Sequence, residues 1–199
     1  MKRDYKELNN YVRNFPDKWN RTQAKNQLLV DYENIIGKKV ADLGCNSGYA
    51  CFMLAESNVE EVVGFDIQPQ AIAFADTVNR KKFPQSVSRK VWFVQADLKN
   101  VTGYDNYFDT IYSFHTLEHI YDDDLDSVLA EAYKTLKPGG NFIVSLPYKK
   151  NWDCAEHVNY FNSLDSLDIR LIKANFIKVE LYLDPRTNGK AITGIYEKK

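Results

Sequence analysis

The chain has 199 residues, 44% of them hydrophobic and 27% charged, with a formal charge of -1 at pH 7. That size and composition describe one globular domain with a substantial core and exclude a disordered chain. The near-zero charge excludes a protein that selects its partner mainly by bulk electrostatics.

Residues 1–37 are polar and mixed in charge, with aromatics at Tyr5, Tyr11, Phe15, Trp19 and Tyr32. They read as a helical lead-in or cap. From 38 to 199 short apolar runs alternate with amphipathic segments. Lys39–Leu43, Glu61–Asp66, Val91–Ala96, Asp109–Phe114 and Asn141–Leu146 are strand-length and rich in β-branched and aromatic residues. Helices are predicted at Tyr49–Glu56, at Pro69–Asn79 with its proline in the first turn, and at Asp124–Leu136. The Pro138-Gly139-Gly140 turn is expected to stop the last of these, and a further amphipathic helix is expected over Leu164–Lys173. This alternation implies βαβ units and a mainly parallel sheet. Ile177–Leu183 and Ala191–Glu197 break the rhythm as a hairpin, which requires one antiparallel strand.

Cys45, Cys51 and Cys154 have neither a disulfide framework nor C-x-x-C spacing, and read as reduced thiols. No apolar run approaches the ~18 residues needed to cross a membrane. No signal-peptide core follows Met1-Lys2-Arg3-Asp4, so a soluble cytoplasmic protein is expected.

Chemistry gathers at the ends of the predicted strands. The first runs into Gly44-Cys45-Asn46-Ser47-Gly48 and then into a helix, preceded by Asp42. Glycines there permit positive φ and close approach of backbone amides to a ligand. The second strand ends in Asp66, 22 residues after Gly44, where an acid reaches a ribose diol, and the third leads into Asp97. The glycine spacing is not G-x-G-x-x-G, and no P-loop lysine follows it. A ligand surrounded by acids fits a cation better than a pyrophosphate.

Taken in order, "DLGCNSG", "GFDIQP", "QADL", "YFDTIYSFHTLEHI" and "TLKPGGNFIVSLP" resemble the class I S-adenosylmethionine-dependent methyltransferases over about residues 38–199. The resemblance implies a three-layer α/β/α Rossmann-like fold with a seven-stranded, mostly parallel sheet. Its strand order would be 3-2-1-4-5-7-6, with the seventh strand antiparallel. It implies that Asp42, Gly44, Cys45, Asn46 and Gly48 line the methionine portion of the cofactor. Asp66 would take the ribose hydroxyls, with Ile67 beside it. Asp97 would take the adenine amino group, flanked by Ala96 and Leu98. Asn46 stands where the motif usually has glycine, and asparagine tolerates positive φ.

The stretch "FHTLEHI" then begins at the carboxyl end of the fourth strand, with His115 beside the sulfonium and Glu118 and His119 toward the substrate. His115 is expected to touch the cofactor through its main chain. His157, after the fifth strand, is expected to face the same cleft. Three readings stand for this set. His119 is a general base or hydrogen-bond partner for the nucleophile. Alternatively, His115, Glu118, His119 and His157 form a mixed nitrogen and carboxylate set suited to Zn, Fe or Mn. Or Glu118 and His119 are structural, bonding and packing against the loop that contains His157. The expectation is a catalytic set without a metal.

Pro147, Tyr148, Trp152, Tyr160 and Phe161 lie in a segment expected either to overhang a flat or sugar-like acceptor or to pack on the lead-in. Arg80, Lys81, Lys82, Arg89 and Lys90 form a basic run, read as a solvated loop or as an RNA contact. The expected activity is methyl transfer from S-adenosylmethionine to an oxygen of a small-molecule or glycan-type acceptor. An RNA methyltransferase and a non-catalytic S-adenosylmethionine-binding regulatory protein are the alternatives. No feature of the sequence specifies an oligomeric state.

Overall fold

A computed structural model describes residues 37–151 and 155–199. The lead-in, Trp152 and Cys154 lie outside the described residues. The strands are β1 (Lys39–Leu43), β2 (Glu61–Asp66), β3 (Val91–Gln95), β4 (Phe108–Phe114), β5 (Leu136–Pro147), β6 (Phe176–Leu183) and β7 (Ala191–Lys198). The helices are α1 (Tyr49–Glu56), α2 (Pro69–Lys82), the single turn α3 (Gln85–Ser88), α4 (Asp122–Thr135) and α5 (Leu164–Lys173).

The strands form one seven-stranded sheet in the order 3-2-1-4-5-7-6. β7 runs antiparallel to both β5 and β6, and the other pairings are parallel. This is the expected three-layer architecture. β1 is paired on both sides and buried from Val40 to Leu43, as an interior parallel strand must be. On one face α1, α2 and α3 contribute Phe52, Leu54, Phe74, Val78 and Val87 to a core. On the other, Leu125, Val128, Leu129 and Ala132 of α4 and Leu167 and Leu171 of α5 pack with Phe142 and Tyr196.

Two boundaries correct the sequence reading. α2 extends to Lys82, so Arg80–Lys82 belong to its last turn, where cations face the helix's negative end, rather than to a loop. α4 begins at Asp122, with Asp122, Asp123 and Asp124 in its first turn, and ends at Thr135. Pro138-Gly139-Gly140 therefore does not stop the helix. Leu136 is already extended and pairs with Phe108, and the next pair is Thr110 with Asn141, so Lys137–Gly140 bulge out of β5. Asp109 holds the bulge: one carboxylate oxygen pairs with the Lys137 ammonium, and the other accepts from Lys38 N and Lys39 N at 2.8 Å. β1, β4 and the start of β5 are thereby tied together at the amino-terminal edge of the sheet.

Candidate active site

The opposite, carboxyl edge collects the residues of interest. After β1 the chain turns through Gly44 (φ +76°), Asn46 (φ +47°) and Gly48 (φ +82°), all in the left-handed region. Gly44 N and Cys45 N both donate to Phe65 O of β2, at 2.8 and 2.9 Å, which fastens the loop across the edge. Gly48 is the residue that caps the start of α1, and a Cβ there would lie 2.6 Å from the Phe93 ring.

Asp42 lies beneath this loop rather than on its surface. It is 2% exposed and accepts a hydrogen bond from Cys51 Sγ at 3.2 Å. Burial raises its pKa to about 7; the Cys51 bond opposes that rise and the charge of Asp66 adds to it. Cys45 and Cys51 are buried, free thiols whose pKa values are also raised.

Asp66, at the end of β2, accepts from Asn46 N through one oxygen (2.9 Å) and from Gln68 N through the other (2.8 Å). Each carboxylate oxygen retains acceptor capacity after one bond. Ile67 is 60% exposed at the same strand end. Ala96 N donates to Asp66 O at 3.0 Å, bringing the segment after β3 alongside. Asp97 accepts from Lys99 N at 3.0 Å, its side chain is about half exposed, and Leu98 is buried beneath it.

At the end of β4, His115 adopts φ +50°, uncommon for a non-glycine residue, and its amide donates to Ser145 O at 2.8 Å. His115 Nδ1 meets Glu118 Oε1 at 3.2 Å. Leu117–His119 form a 3₁₀ turn. Val158 N and Asn159 N both donate to Glu118 O, at 2.9 and 3.0 Å, and Asn159 Nδ2 donates to Ile120 O. The loop after β5 is thus pinned onto the turn, and the His119 and His157 rings stack edge to face at 4.8 Å. His119 Nδ1 also faces Glu156 O at 3.1 Å.

Thr116 joins the two halves. Its hydroxyl donates to Leu43 O at 2.8 Å, and its side chain fills the space over Gly44. Sequence reasoning passed over Thr116 and Cys51. Thr116 lies two residues past the end of the interior strand β4, within reach of the neighbouring strand end at Leu43, a placement that would have singled it out.

The acceptor-loop aromatics divide. Phe161 is a core residue, 3% exposed, and its segment bridges to Tyr148, so it does not overhang a pocket. Lys150 lies 5.2 Å from the Tyr160 ring. In the basic run, Arg80 pairs with Asp76 and Lys90 Nζ donates to Ala55 O and Ser57 O at the end of α1. These two cations are partly committed to the fold. Among the described residues no helix is long and apolar enough to cross a membrane.

A sheet of this order, with a glycine loop after β1 and acids at the ends of β2 and β3, defines a Rossmann-like methyltransferase architecture. Residues 40–140 match the methyltransferase domain family, and the chain belongs to it as a class I S-adenosylmethionine-dependent methyltransferase. Among similar curated proteins, a phosphoethanolamine N-methyltransferase of Triticum aestivum is 37% identical over 55% of this chain and 20% of its own length. A tRNA U34 carboxymethyltransferase of Sulfurimonas denitrificans is 31% identical over 64% of this chain and 41% of its own. The chain spans less than two thirds of the length of either relative. The solved structure of PH0226 protein from Pyrococcus horikoshii OT3 superposes with a TM-score of 0.71 at 20% identity, covering 90% of each chain. The glycopeptide N-methyltransferase MtfA, in complex with S-adenosylmethionine, gives 0.70 at 13% identity, covering 82% of this chain and 88% of its own. Both likenesses are of fold.

Proposed function

We propose that the protein transfers a methyl group from S-adenosylmethionine to an oxygen of a small-molecule or glycan-type acceptor. One observation carries this reading. The glycine loop and the histidine-bearing turn are in direct contact through Gly44 and Thr116, so a cofactor laid along the loop would end beside His115, Glu118 and His119.

The residues fit the cofactor. Gly44, Asn46 and Gly48 lie in the left-handed region, and with Cys45 they form a tight loop whose backbone a methionine portion can approach closely. Asp66 offers remaining lone pairs to the ribose hydroxyls. Ile67 and Ala96 offer apolar contact to the adenine and Asp97 an acceptor to its amino group, with Leu98 packed in the core behind them, while Asp42 supports the loop from below. The sulfonium supplies a methyl group that is already electrophilic. What remains for the chain is to align acceptor and methyl and to deal with the acceptor's proton. His115 serves through its backbone, and His119 and His157 take the acceptor side.

The test is transfer of isotopically labelled methyl from S-adenosylmethionine to hydroxyl-bearing metabolites and sugars, with total RNA and amine acceptors in parallel. Label in a hydroxylated small molecule supports the reading. Label confined to RNA or to an amine replaces the acceptor class, and cofactor binding without transfer to any acceptor favours a regulatory protein.

A further inference from the structure

Glu118 is 1% exposed. Its Oε1 is engaged by His115, but its Oε2 is buried with no hydrogen-bond partner among the described residues. A carboxylate oxygen withdrawn from water and left unpaired is costly, and such groups call for a compensating charge. Among the described residues no lysine or arginine forms an ion pair with Glu118.

Near the Glu118 carboxylate the fold gathers nitrogen ligands. One ligand atom from each of Glu118, His119 and His157 lies within 4.8 Å of the others. His119 Nδ1 faces the Glu156 carbonyl at 3.1 Å. A carbonyl oxygen only accepts, so Nδ1 carries a proton in this contact, and in the neutral ring the lone pair is on Nε2, the atom left to ligate. This is the arrangement by which outer partners set the tautomer of a ligating histidine, and the His115 contact orients the Glu118 carboxylate in the same way. The pieces are also held in place: the amides of Val158 and Asn159 clamp the His157 segment onto the carbonyl of Glu118.

We propose that Glu118, His119 and His157 bind one divalent first-row transition-metal ion. Two imidazoles and a carboxylate suit Mn, Fe, Co or Zn, whereas Mg and Ca prefer all-oxygen shells. Ligand atoms about 2.1 Å from a common ion stand ~3–4 Å apart, so small side-chain rotations close the set. The ion supplies the charge that the buried Oε2 lacks. Three protein ligands leave coordination positions open, which an acceptor hydroxyl oxygen would occupy and there lose its proton more readily. That last step rests on the methyl-transfer reading; ion binding does not.

The experiment is titration of the chelator-treated full chain with Co(II), Zn(II), Mn(II) and Mg(II) by calorimetry, with visible absorption recorded for Co(II). Cofactor affinity and melting temperature are measured alongside. One Co(II) per chain is expected, with ligand-field bands and no thiolate charge-transfer band, and with Mg(II) much weaker. His119→Ala, His157→Ala and Glu118→Gln are each expected to weaken Co(II) binding at least about tenfold. His157→Ala is expected to leave melting temperature and cofactor affinity unchanged, which separates ligand loss from misfolding. Absence of stoichiometric binding, a thiolate band, or binding indifferent to His119→Ala and His157→Ala in folded protein overturns the site. Intact cofactor binding in that event leaves the methyltransferase reading standing, whereas loss of cofactor binding with ion binding preserved does the reverse.

Discussion

A Cβ placed on Gly44 would lie 2.4 Å from both Oγ1 and Cγ2 of Thr116, so the Thr116 side chain takes the space that a side chain on Gly44 would need and packs the glycine loop against the segment after β4. Gly44 also sits at φ +76°, where a side chain costs roughly 1–2 kcal/mol. Gly139 provides a control: its φ is +74°, but a Cβ there meets nothing within 4 Å. Gly139→Ala should lower stability by about that backbone cost alone. Gly44→Ala should cost more and should also weaken S-adenosylmethionine binding at least about tenfold, because Thr116 has to move away from Leu43 O. Denaturant melts and calorimetry on both variants decide this. Equal losses of stability with unchanged affinity would remove Gly44 from the binding surface.

Asp66 has a second task besides any contact with a ribose, since it ties Asn46 N to Gln68 N. Both amides lie at the surface, where water can replace the carboxylate. The stability loss in Asp66→Ala should therefore stay near ~1 kcal/mol. Cofactor affinity should fall at least about tenfold, with Asp66→Asn between, because the amide keeps one acceptor oxygen. A calorimetric affinity that does not change in Asp66→Ala contradicts the ribose role.

The buried carboxyl of Asp42 makes the fold sensitive to pH. Its pKa rises from 3.8 to about 7, chiefly because burial disfavours the charged form. A raised carboxyl pKa means that the native state holds a proton the unfolded chain releases, so stability falls as pH climbs from about 4 to about 7 and levels off above. Asp42→Asn removes this component. Its melting temperature at pH 8 should match or exceed that of the wild type, and the decline between pH 4 and 7 should be shallower. A variant with the same pH profile as the wild type would show that Asp42 is charged in the folded protein.

How much of this was legible in the sequence depends on how local the cause was. β1 and β2 run between the bounds their apolar residues suggest, because an interior parallel strand is buried along its length. The order of the strands followed from a resemblance carried by several motifs together. The start of β5 was hidden because Pro138-Gly139-Gly140 is a turn signal locally, while pairing of Leu136 with Phe108 keeps the chain in the sheet. The burial of Asp42 under a thiol was equally hidden, since a strand-end acid before glycines looks the same whether it faces solvent or the α1 helix. His157 is 38 residues from His119, and their meeting depends on backbone bonds from Val158 and Asn159 to Glu118 that no periodicity announces.

Lys198 offers a test of stability separated from function. It is 8% exposed, and its ammonium donates to Tyr133 O at 2.7 Å and to Leu136 O and Asn106 Oδ1 at 2.8 Å. All three protons are thereby used, two of them on carbonyls at the end of α4 where the helix is most negative and the third on the Asn106 side chain. The Tyr133 ring lies 4.7 Å from the same nitrogen. Burial lowers the Lys198 pKa, yet the ammonium form fits every partner present. Lys198→Met should keep the packing of the stem but strand three acceptors, costing about 2–3 kcal/mol in urea unfolding. These acceptors sit where β4 and β5 begin, across the sheet from the glycine loop. Affinity for S-adenosylmethionine should therefore be unchanged in the folded variant. A fall in affinity without a fall in stability would mean that the two edges of the sheet are coupled.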